Sequence, residues 1–267
     1  MKTSPQKPLT VLVVGATGSV GRHVVAESVR QGYATRALVR NPSRAGRLDP
    51  GAQLVIGELT RPETLAEAVA DIDAVVFTQG SSYGDAAAAE AVDYGAVRNV
   101  LQALGGRPVR IALMTSIGVT VPGSTHDWKR RGERLVRGSG NAYTIVRPSW
   151  FDYNDADQLE ITLLQGDERR AGSPADGVIA RHQIARVLVD SLASDAAEHL
   201  TFELVAEHGP AQDDLEPVFG ALDPDVPGSL DGVRDQANMP VDDEPESVRR
   251  DLGELGDSQS DEPIPAT

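Results

Sequence analysis

The residues that point most directly to a ligand-binding site are the glycines of a G-x-x-G-x-x-G motif, which follows the apolar run of residues 9–14. Glycines close a strand-to-helix turn without a Cβ clash, and they let backbone N–H groups at a helix N-terminus approach a pyrophosphate. A tight turn that binds no ligand is the alternative interpretation. The motif supplies these candidates for binding a dinucleotide cofactor: Gly15, Thr17, Gly18, Ser19, Val20 and Gly21.

A basic residue lies at the position where dinucleotide-binding folds contact the 2′ group of the adenine ribose. Arg40 lies about 20 residues after the glycine motif, where a carboxylate would bind a ribose 2′-hydroxyl, and no carboxylate occurs between residues 34 and 47. Arg44 and Arg47 follow. Guanidinium groups suit a 2′-phosphate because they form bidentate, charge-assisted hydrogen bonds. We therefore predict NADP(H) rather than NAD(H), with a solvated basic loop as the alternative.

Short apolar runs and segments of helical spacing alternate along the first 150 residues. The runs are residues 9–14, 34–39, 54–56, 74–78, 110–115 and 143–147, and the helical segments are residues 21–31, 62–69, 85–104 and 128–138. Apolar strands separated by amphipathic helices are typical of a parallel sheet covered on both faces. The sequence predicts an α/β fold: a doubly wound, Rossmann-like parallel sheet with a small C-terminal substrate-side region.

Charge divides the chain unevenly. The formal net charge is -15, and residues 208–267 hold 16 acidic residues against 3 arginines. We expect an NAD(P)-binding domain over residues 9–210, with substrate-side elements from about 150. An acidic extension over 211–255 would pack on that domain and solvate its surface, and a disordered tail would follow over 256–267. The net charge argues against nucleic acid and anionic membranes as partners.

The chain contains no cysteine, which excludes disulfides, thiolate metal sites, Fe–S clusters and cysteine nucleophiles. No apolar run has the roughly 18–20 residues that a membrane helix needs, and the first residues lack an apolar signal core. We expect a cytoplasmic protein, a monomer or a homodimer, that acts on a small-molecule substrate.

The sequence resembles the atypical short-chain dehydrogenase/reductase superfamily, especially its NmrA-like NAD(P)H-binding branch. The resemblance covers roughly residues 9–150. It rests on the glycine motif, on Ala-Leu-Val-Arg-Asn-Pro at 37–42 and on Ser-Gly-Asn-Ala-Tyr-Thr-Ile-Val-Arg-Pro at 139–148. It implies that Glu58, where the family usually has Asp, and Leu59 border the adenine. It further implies cofactor contacts after the fourth and fifth strands, from Thr78, Gln79, Gly80, Thr115 and Ser116.

The resemblance also implies a Ser, Tyr and Lys set, in which the Tyr stands four residues before the Lys and exchanges the substrate proton. Ser116 and Lys129 match the Ser and Lys positions, and Lys129 would also bind the nicotinamide ribose. Thr125 replaces the Tyr, and an aliphatic hydroxyl is a poor proton donor by that route. His126 and Tyr153 are the two candidates for the missing proton donor, although a solvated histidine is the plainer interpretation of His126.

Two further clusters follow the sixth predicted strand. Trp150, Phe151, Tyr153 and Asn154 would form either a substrate pocket or ordinary core packing, and Asp176 or Arg181 would touch substrate unless they belong to a charged helix start. We predict no metal site, because the spacing of the nearby acidic and histidine residues fits no hard-cation loop. The residues considered for one are Asp152, Asp155, Asp157 and His182.

These features favour an NADP(H)-dependent reductase of a small carbonyl or quinone-like acceptor, with an atypical active site that lacks the usual Tyr. The absence of that Tyr motivates the alternative, a non-catalytic NADP(H)-binding sensor or regulatory interaction protein. An epimerase of the extended branch is less favoured, because those enzymes normally keep the Tyr.

Overall fold

A computed structural model describes residues 8–81, 84–123 and 125–260. Its strands are β1 (Thr10–Val14), β2 (Ala34–Val39), β3 (Gln53–Ile56), β4 (Ala74–Phe77), β5 (Arg110–Met114), β6 (Tyr143–Pro148), β7 (Trp150–Phe151), β8 (Glu160–Leu164), β9 (Val178–Ile179) and β10 (Leu200–Glu207). Its α-helices are α1 (Gly21–Arg30), α2 (Ala86–Ala88), α3 (Gly95–Leu104), α4 (Asp127–Gly138), α5 (Arg181–Asp190), α6 (Glu216–Phe219) and α7 (Glu246–Ser260).

Eight strands form one sheet in the order β3-β2-β1-β4-β5-β6-β10-β8, and β7 pairs with β9 separately. All neighbours in the large sheet are parallel except β10 and β8. The order reverses between β1 and β4, which is the switch point where open α/β sheets bind ligands. The predicted doubly wound, Rossmann-like fold is confirmed.

Alternate side chains of β1 build two hydrophobic cores, one on each face of the sheet. Val11 and Val13 pack into the core that includes residues of α1 and α5, whereas Leu12 and Val14 pack into the core that includes residues of α3 and α4. Every residue of β1 is buried. This explains why the strand is apolar throughout rather than alternating.

Three predicted elements differ from the structure. Residues 62–69 form a single 3-10 turn, Pro62–Thr64, because Asp71 at φ 51° turns the chain directly into β4. The segment 85–104 is not one helix, since a π-helical segment, Ala89–Tyr94, separates α2 from α3. Residues 160–164, which showed no strand pattern, form β8 by pairing antiparallel with β10.

The C-terminal segment, expected to pack on the domain and solvate its surface, contacts the domain through buried ion pairs. Asp231 accepts hydrogen bonds from Arg130 and Arg134 of α4, and Glu244 accepts a hydrogen bond of 2.8 Å from Arg134. Asp225 accepts from Arg137 at 3.2 Å. These guanidinium groups are about 99% buried, and buried charges need such partners.

Helix α7 packs on the same face through Val248, Leu252 and Leu255. The helix continues to Ser260, so the disorder expected from residue 256 is not found over 256–260, because the backbone there extends the packed helix. The remaining tail, 261–267, lies outside the described residues. The boundaries near 210 and 255 stay predictions. Within the described ranges, no helix is long and apolar enough to cross a membrane.

Candidate functional site

The glycine motif forms a turn that leaves no room for side chains. Gly15 has φ +78°, and a Cβ atom built on it would lie 2.7 Å from the backbone nitrogen of Gln79. A Cβ atom on Gly21 would overlap the carbonyl group of Gly15. The turn is closed by the N–H of Gly18, which donates to the Gly15 carbonyl at 2.8 Å. β1, the turn and β4 therefore meet at backbone distance, as a phosphate cradle requires.

One cleft of about 700 Å³ opens at the carboxyl ends of β1, β2, β4 and β5. Most of the residues predicted as cofactor-binding or catalytic line it: Gly15, Thr17, Gly18, Ser19, Val20, Arg40, Glu58, Leu59, Thr78, Gln79, Gly80, Thr115, Ser116, His126 and Lys129. Gly21, the first residue of α1, and Tyr153 do not line the cleft. The structure adds residues that sequence reasoning missed, namely Thr60, Ser81, Val92 and Met114, which carry no motif, and Phe151, which had been assigned to the aromatic cluster.

A smaller cavity of about 350 Å³ adjoins the cleft beside Arg40 and Arg44. Thr17, Asn41 and Glu58 complete its lining, whereas Arg47 does not contribute to it. The Arg40 guanidinium lies 3.8 Å from the Glu58 carboxylate, and 69% of the Arg40 side chain is exposed. The guanidinium groups of Arg40 and Arg44 could thus both bind an anionic group in this cavity, and the Glu58 carboxylate competes with that group for Arg40.

Lys129 is held at the cleft by an ion pair. Its ammonium donates to Asp93 Oδ1 at 2.7 Å, and the two side chains are 15% and 2% exposed. Asp93 comes from the π-helical segment, and nothing in the sequence pattern marked it. The pair fixes the Lys129 ammonium next to Gly80.

The hydroxyl groups of Thr115 and Ser116 behave differently. Thr115 donates to the buried carboxylate of Glu133 at 2.7 Å, so its hydroxyl is used inside the protein. Ser116 Oγ is buried and, among the described residues, has no hydrogen-bond partner; the same holds for Gln79 Oε1. Buried polar atoms normally have a hydrogen-bond partner, so these two atoms on the cleft wall are suited to form hydrogen bonds with a bound ligand. Together with the glycine cradle, they fit a dinucleotide.

His126 immediately precedes α4 and lines the cleft. Burial lowers the pKa of its imidazole, and the positive charge of Lys129 lowers that pKa further, while Asp93 acts in the opposite sense. His126 is therefore mainly neutral at neutral pH. This result weakens the expectation that it serves as a general acid, although a neutral imidazole still carries one N–H donor.

The aromatic cluster divides between two environments. Phe151 lines the cleft, whereas Tyr153 is 64% exposed and packs its ring edge against Trp150 at 6.2 Å between centroids. Tyr153 is thus not placed to donate a proton in the cleft. Arg181 pairs with Asp152 and lies over Phe151, with 5.1 Å between the guanidinium carbon and the ring centroid.

Two other predicted features have structural explanations. The Asp176 carboxylate is buried and accepts hydrogen bonds from the N–H groups of residues 171–173, which assigns it to a local cap rather than to substrate. Asp155, Asp157 and His208 are exposed and close enough to hold a metal ion in principle. His182, considered earlier, is not part of that group, and exposed acidic groups of this kind carry no metal prediction.

Comparisons with known proteins agree with this geometry. The family profile described as NAD(P)H-binding matches residues 15–195. The photosystem II assembly factor Ycf39 of Trieres chinensis is 28% identical over 213 residues, which cover 75% of this chain and 65% of that protein. The chloroplastic protein TIC 62 of Pisum sativum is 29% identical over 183 residues, covering 57% of this chain and 34% of TIC 62.

This chain therefore spans less than two thirds of the length of these curated relatives. The description of TIC 62 as chloroplastic shows that the family is not confined to the cytoplasm, so a cytoplasmic location stays a prediction. Among solved structures, a putative NAD-dependent epimerase/dehydratase from Bacillus halodurans is 26% identical, with a TM-score of 0.66 over 80% of this chain and 100% of that chain. The chain thus belongs to the NAD(P)H-binding family, as an atypical short-chain dehydrogenase/reductase of the NmrA-like kind.

Proposed function

We propose that this protein is an NADP(H)-dependent reductase that acts on a small carbonyl or quinone-like acceptor. The observation that carries this proposal is the convergence of the glycine turn, the Arg40 cavity, Ser116 and Lys129 on one cleft. The nicotinamide cofactor supplies the hydride when bound, and the protein supplies orientation and a proton. That the family binds NAD(P)H supports the cofactor class.

Cofactor binding would use both ends of the cleft. The glycine turn and the N-terminus of α1 would hold the pyrophosphate through backbone N–H groups. Arg40 and Arg44 would hold the 2′-phosphate in their cavity. Glu58, which is 32% exposed beside Arg40, would turn from the guanidinium toward solvent when the phosphate enters. The preference for NADP(H) over NAD(H) follows from these two cations.

The proton would come from Lys129 by way of Ser116, since Tyr153 lies outside the cleft and His126 is mainly neutral. The unpaired Ser116 hydroxyl would bind the substrate oxygen. The Lys129 ammonium, already fixed by Asp93, would stabilise the negative charge that develops on the substrate oxygen. As the Ser116 hydroxyl gives its proton to that oxygen, the ammonium would return a proton to Ser116 and become a neutral amine. A site of this kind needs no tyrosine at position 125.

Titration of the full chain with NADPH and NADH tests the cofactor assignment. We expect NADPH to bind at least about tenfold more tightly, because each charge-assisted contact contributes about 1.5–3 kcal/mol. Arg40→Ala should remove most of this preference and leave NADH binding nearly unchanged. Arg36→Ala is the matched control, because Arg36 lies on β2, just before Arg40, but donates to the carbonyl of Ala70 and does not line either cavity. Tighter binding of NADH by the native protein would contradict the assignment.

Oxidation of NADPH with a panel of carbonyls and quinones tests catalysis. We expect turnover that falls by roughly a hundredfold in Lys129→Met, with NADPH binding weakened far less than turnover. Binding of NADPH without turnover in any acceptor would contradict the reductase and leave a binding role. Equal turnover in native protein and Lys129→Met would contradict the role given to Lys129.

A further inference from the structure

A buried carboxylate outside the sequence motifs described above contacts the ammonium of Lys129. Asp93 is 5% exposed and accepts from Lys129 Nζ at 2.7 Å. A charge-assisted hydrogen bond shielded from water is stronger than the same contact at the surface. Lys129 is therefore ordered before any ligand enters the cleft.

Asp93 is itself held by the loop after β4. The Ser81 hydroxyl donates to Asp93 Oδ2 at 2.5 Å, and the Ser81 backbone N–H donates to Asp93 Oδ1 at 3.1 Å. Ser81 follows Gly80, and both line the cleft. The carboxylate thus links the cofactor side of β4 to α4, the helix that carries Lys129.

The backbone around Asp93 is arranged for close approach. Asp93 lies in the π-helical segment Ala89–Tyr94, and such wide turns within helices are frequent at functional sites. A Cβ atom at Gly132 of α4 would lie 2.9 Å from the Asp93 carbonyl oxygen, and a Cβ atom at Gly80 would lie 3.8 Å from Lys129 Nζ. Gly132 thus lets α4 approach the backbone of Asp93 closely, whereas a Cβ at position 80 would make only an ordinary contact with the ammonium.

We propose that Asp93 is the positioning residue for Lys129. Lysine has many rotamers and three N–H donors, and Asp93 uses one donor to fix the side chain while two remain for cofactor and substrate. The part that Lys129 then plays in turnover rests on the proposed function, but its ordering by Asp93 does not. The π-helical segment is thereby part of the site.

The lysine content of the chain permits a direct test. The chain has three lysines, Lys2, Lys7 and Lys129, so ¹³C-lysine labelling gives few Cε signals, and Lys129→Met identifies the one of interest. In the unliganded native protein we expect the Lys129 Cε methylene to relax as a rigid group. In Asp93→Asn it should become mobile on the picosecond to nanosecond timescale. Equal relaxation in both proteins would overturn the positioning role.

Two further variants separate positioning from folding. Tyr94→Phe is the matched control, because Tyr94 is the next residue and its hydroxyl donates to Asp251 at 2.8 Å rather than to the Lys129 pair. Its Lys129 signal should stay rigid. Ser81→Ala removes one bond to Asp93 and should loosen Lys129 to a smaller extent, which keeps the test usable if Asp93→Asn folds poorly. A loosened Lys129 in Tyr94→Phe, or an unchanged one in Ser81→Ala, would count against the proposal.

Two readouts besides relaxation bear on the role of Asp93. The pKa of His126, followed by NMR, should fall in Asp93→Asn, because the Asp93 charge raises it in the native protein. With an accepted substrate, kcat should fall about tenfold while the KM for NADPH changes less than about twofold. Absence of NADPH binding in the native protein would refute the proposed function, whereas the relaxation data would still decide whether Asp93 positions Lys129.

Discussion

Glu203 is a buried carboxyl group that shares one arginine with two nearer carboxylates. Arg147 lies 2.7 Å from both Glu133 and Asp235, but 3.4 Å from Glu203. Burial raises the pKa of Glu203 to about 7, and the charge of Arg147 opposes that rise without cancelling it. Glu203 is therefore the member of this cluster whose negative charge is least compensated, and it should titrate near neutral pH.

The consequence for stability has a definite sign. A carboxyl group whose pKa is higher in the folded chain binds more protons there, so the free energy of unfolding decreases as pH rises from about 4.5 to about 7. A difference of about 2.5 pKa units corresponds to roughly 3 kcal/mol. The side chain is 6% exposed, so solvent screening reduces this figure little.

Glu203→Gln removes the ionisation and preserves the shape of the side chain. We expect the variant to match the native protein near pH 5 and to be more stable at pH 8 by up to roughly 3 kcal/mol. Urea unfolding of both proteins across this range measures the difference. Glu207→Gln is the control, because Glu207 lies on the same strand with its side chain 46% exposed. Parallel pH curves for native protein and Glu203→Gln would refute the reasoning.

Three substitutions test other parts of the structure. Gly15→Ala should destabilise the fold by about 2 kcal/mol or more and weaken NADPH binding, measured by unfolding and titration, because a Cβ atom would meet the Gln79 backbone at 2.7 Å. Glu58→Gln should tighten NADPH binding roughly threefold and leave NADH binding unchanged, because its charge competes for Arg40. Asp231→Ala should cost about 3 kcal/mol in the free energy of unfolding, because it takes a partner from two buried guanidinium groups; a loss below 1 kcal/mol would contradict this role.

The sequence predicted the parallel sheet well because its central strands β1, β4 and β6 are buried on both faces. A short apolar run such as residues 74–78 favours a buried strand over other secondary structures. The glycine motif indicated where the cleft begins. β8 was missed because it lies at the edge of the sheet, where its residues are only partly buried and carry no clear alternation. Its strand structure depends on pairing with β10, which comes about 40 residues later.

Sequence reasoning named the cleft-lining residues that follow strand ends and missed those whose position depends on helix geometry. Ser116 and Lys129 were assigned through the resemblance to the short-chain dehydrogenase/reductase superfamily, but Asp93 reaches Lys129 through a π-helical turn that lies in an alanine-rich segment. Helical periodicity does not distinguish π from α turns over a few residues. Tyr153 was misplaced for a related reason: the chain after β6 directs Phe151, rather than Tyr153, into the cleft.

The acidic C-terminal segment and the basic face of α4 act as one unit. Sequence counting treats the carboxylates of this segment as surplus charge, yet Asp225, Asp231 and Glu244 form ion pairs with buried arginines of α4. The same helix begins at the cleft with Lys129. These ion pairs compensate part of the negative charge of the segment. The C-terminal segment therefore contributes to the site indirectly, by holding in place the helix that presents its lysine.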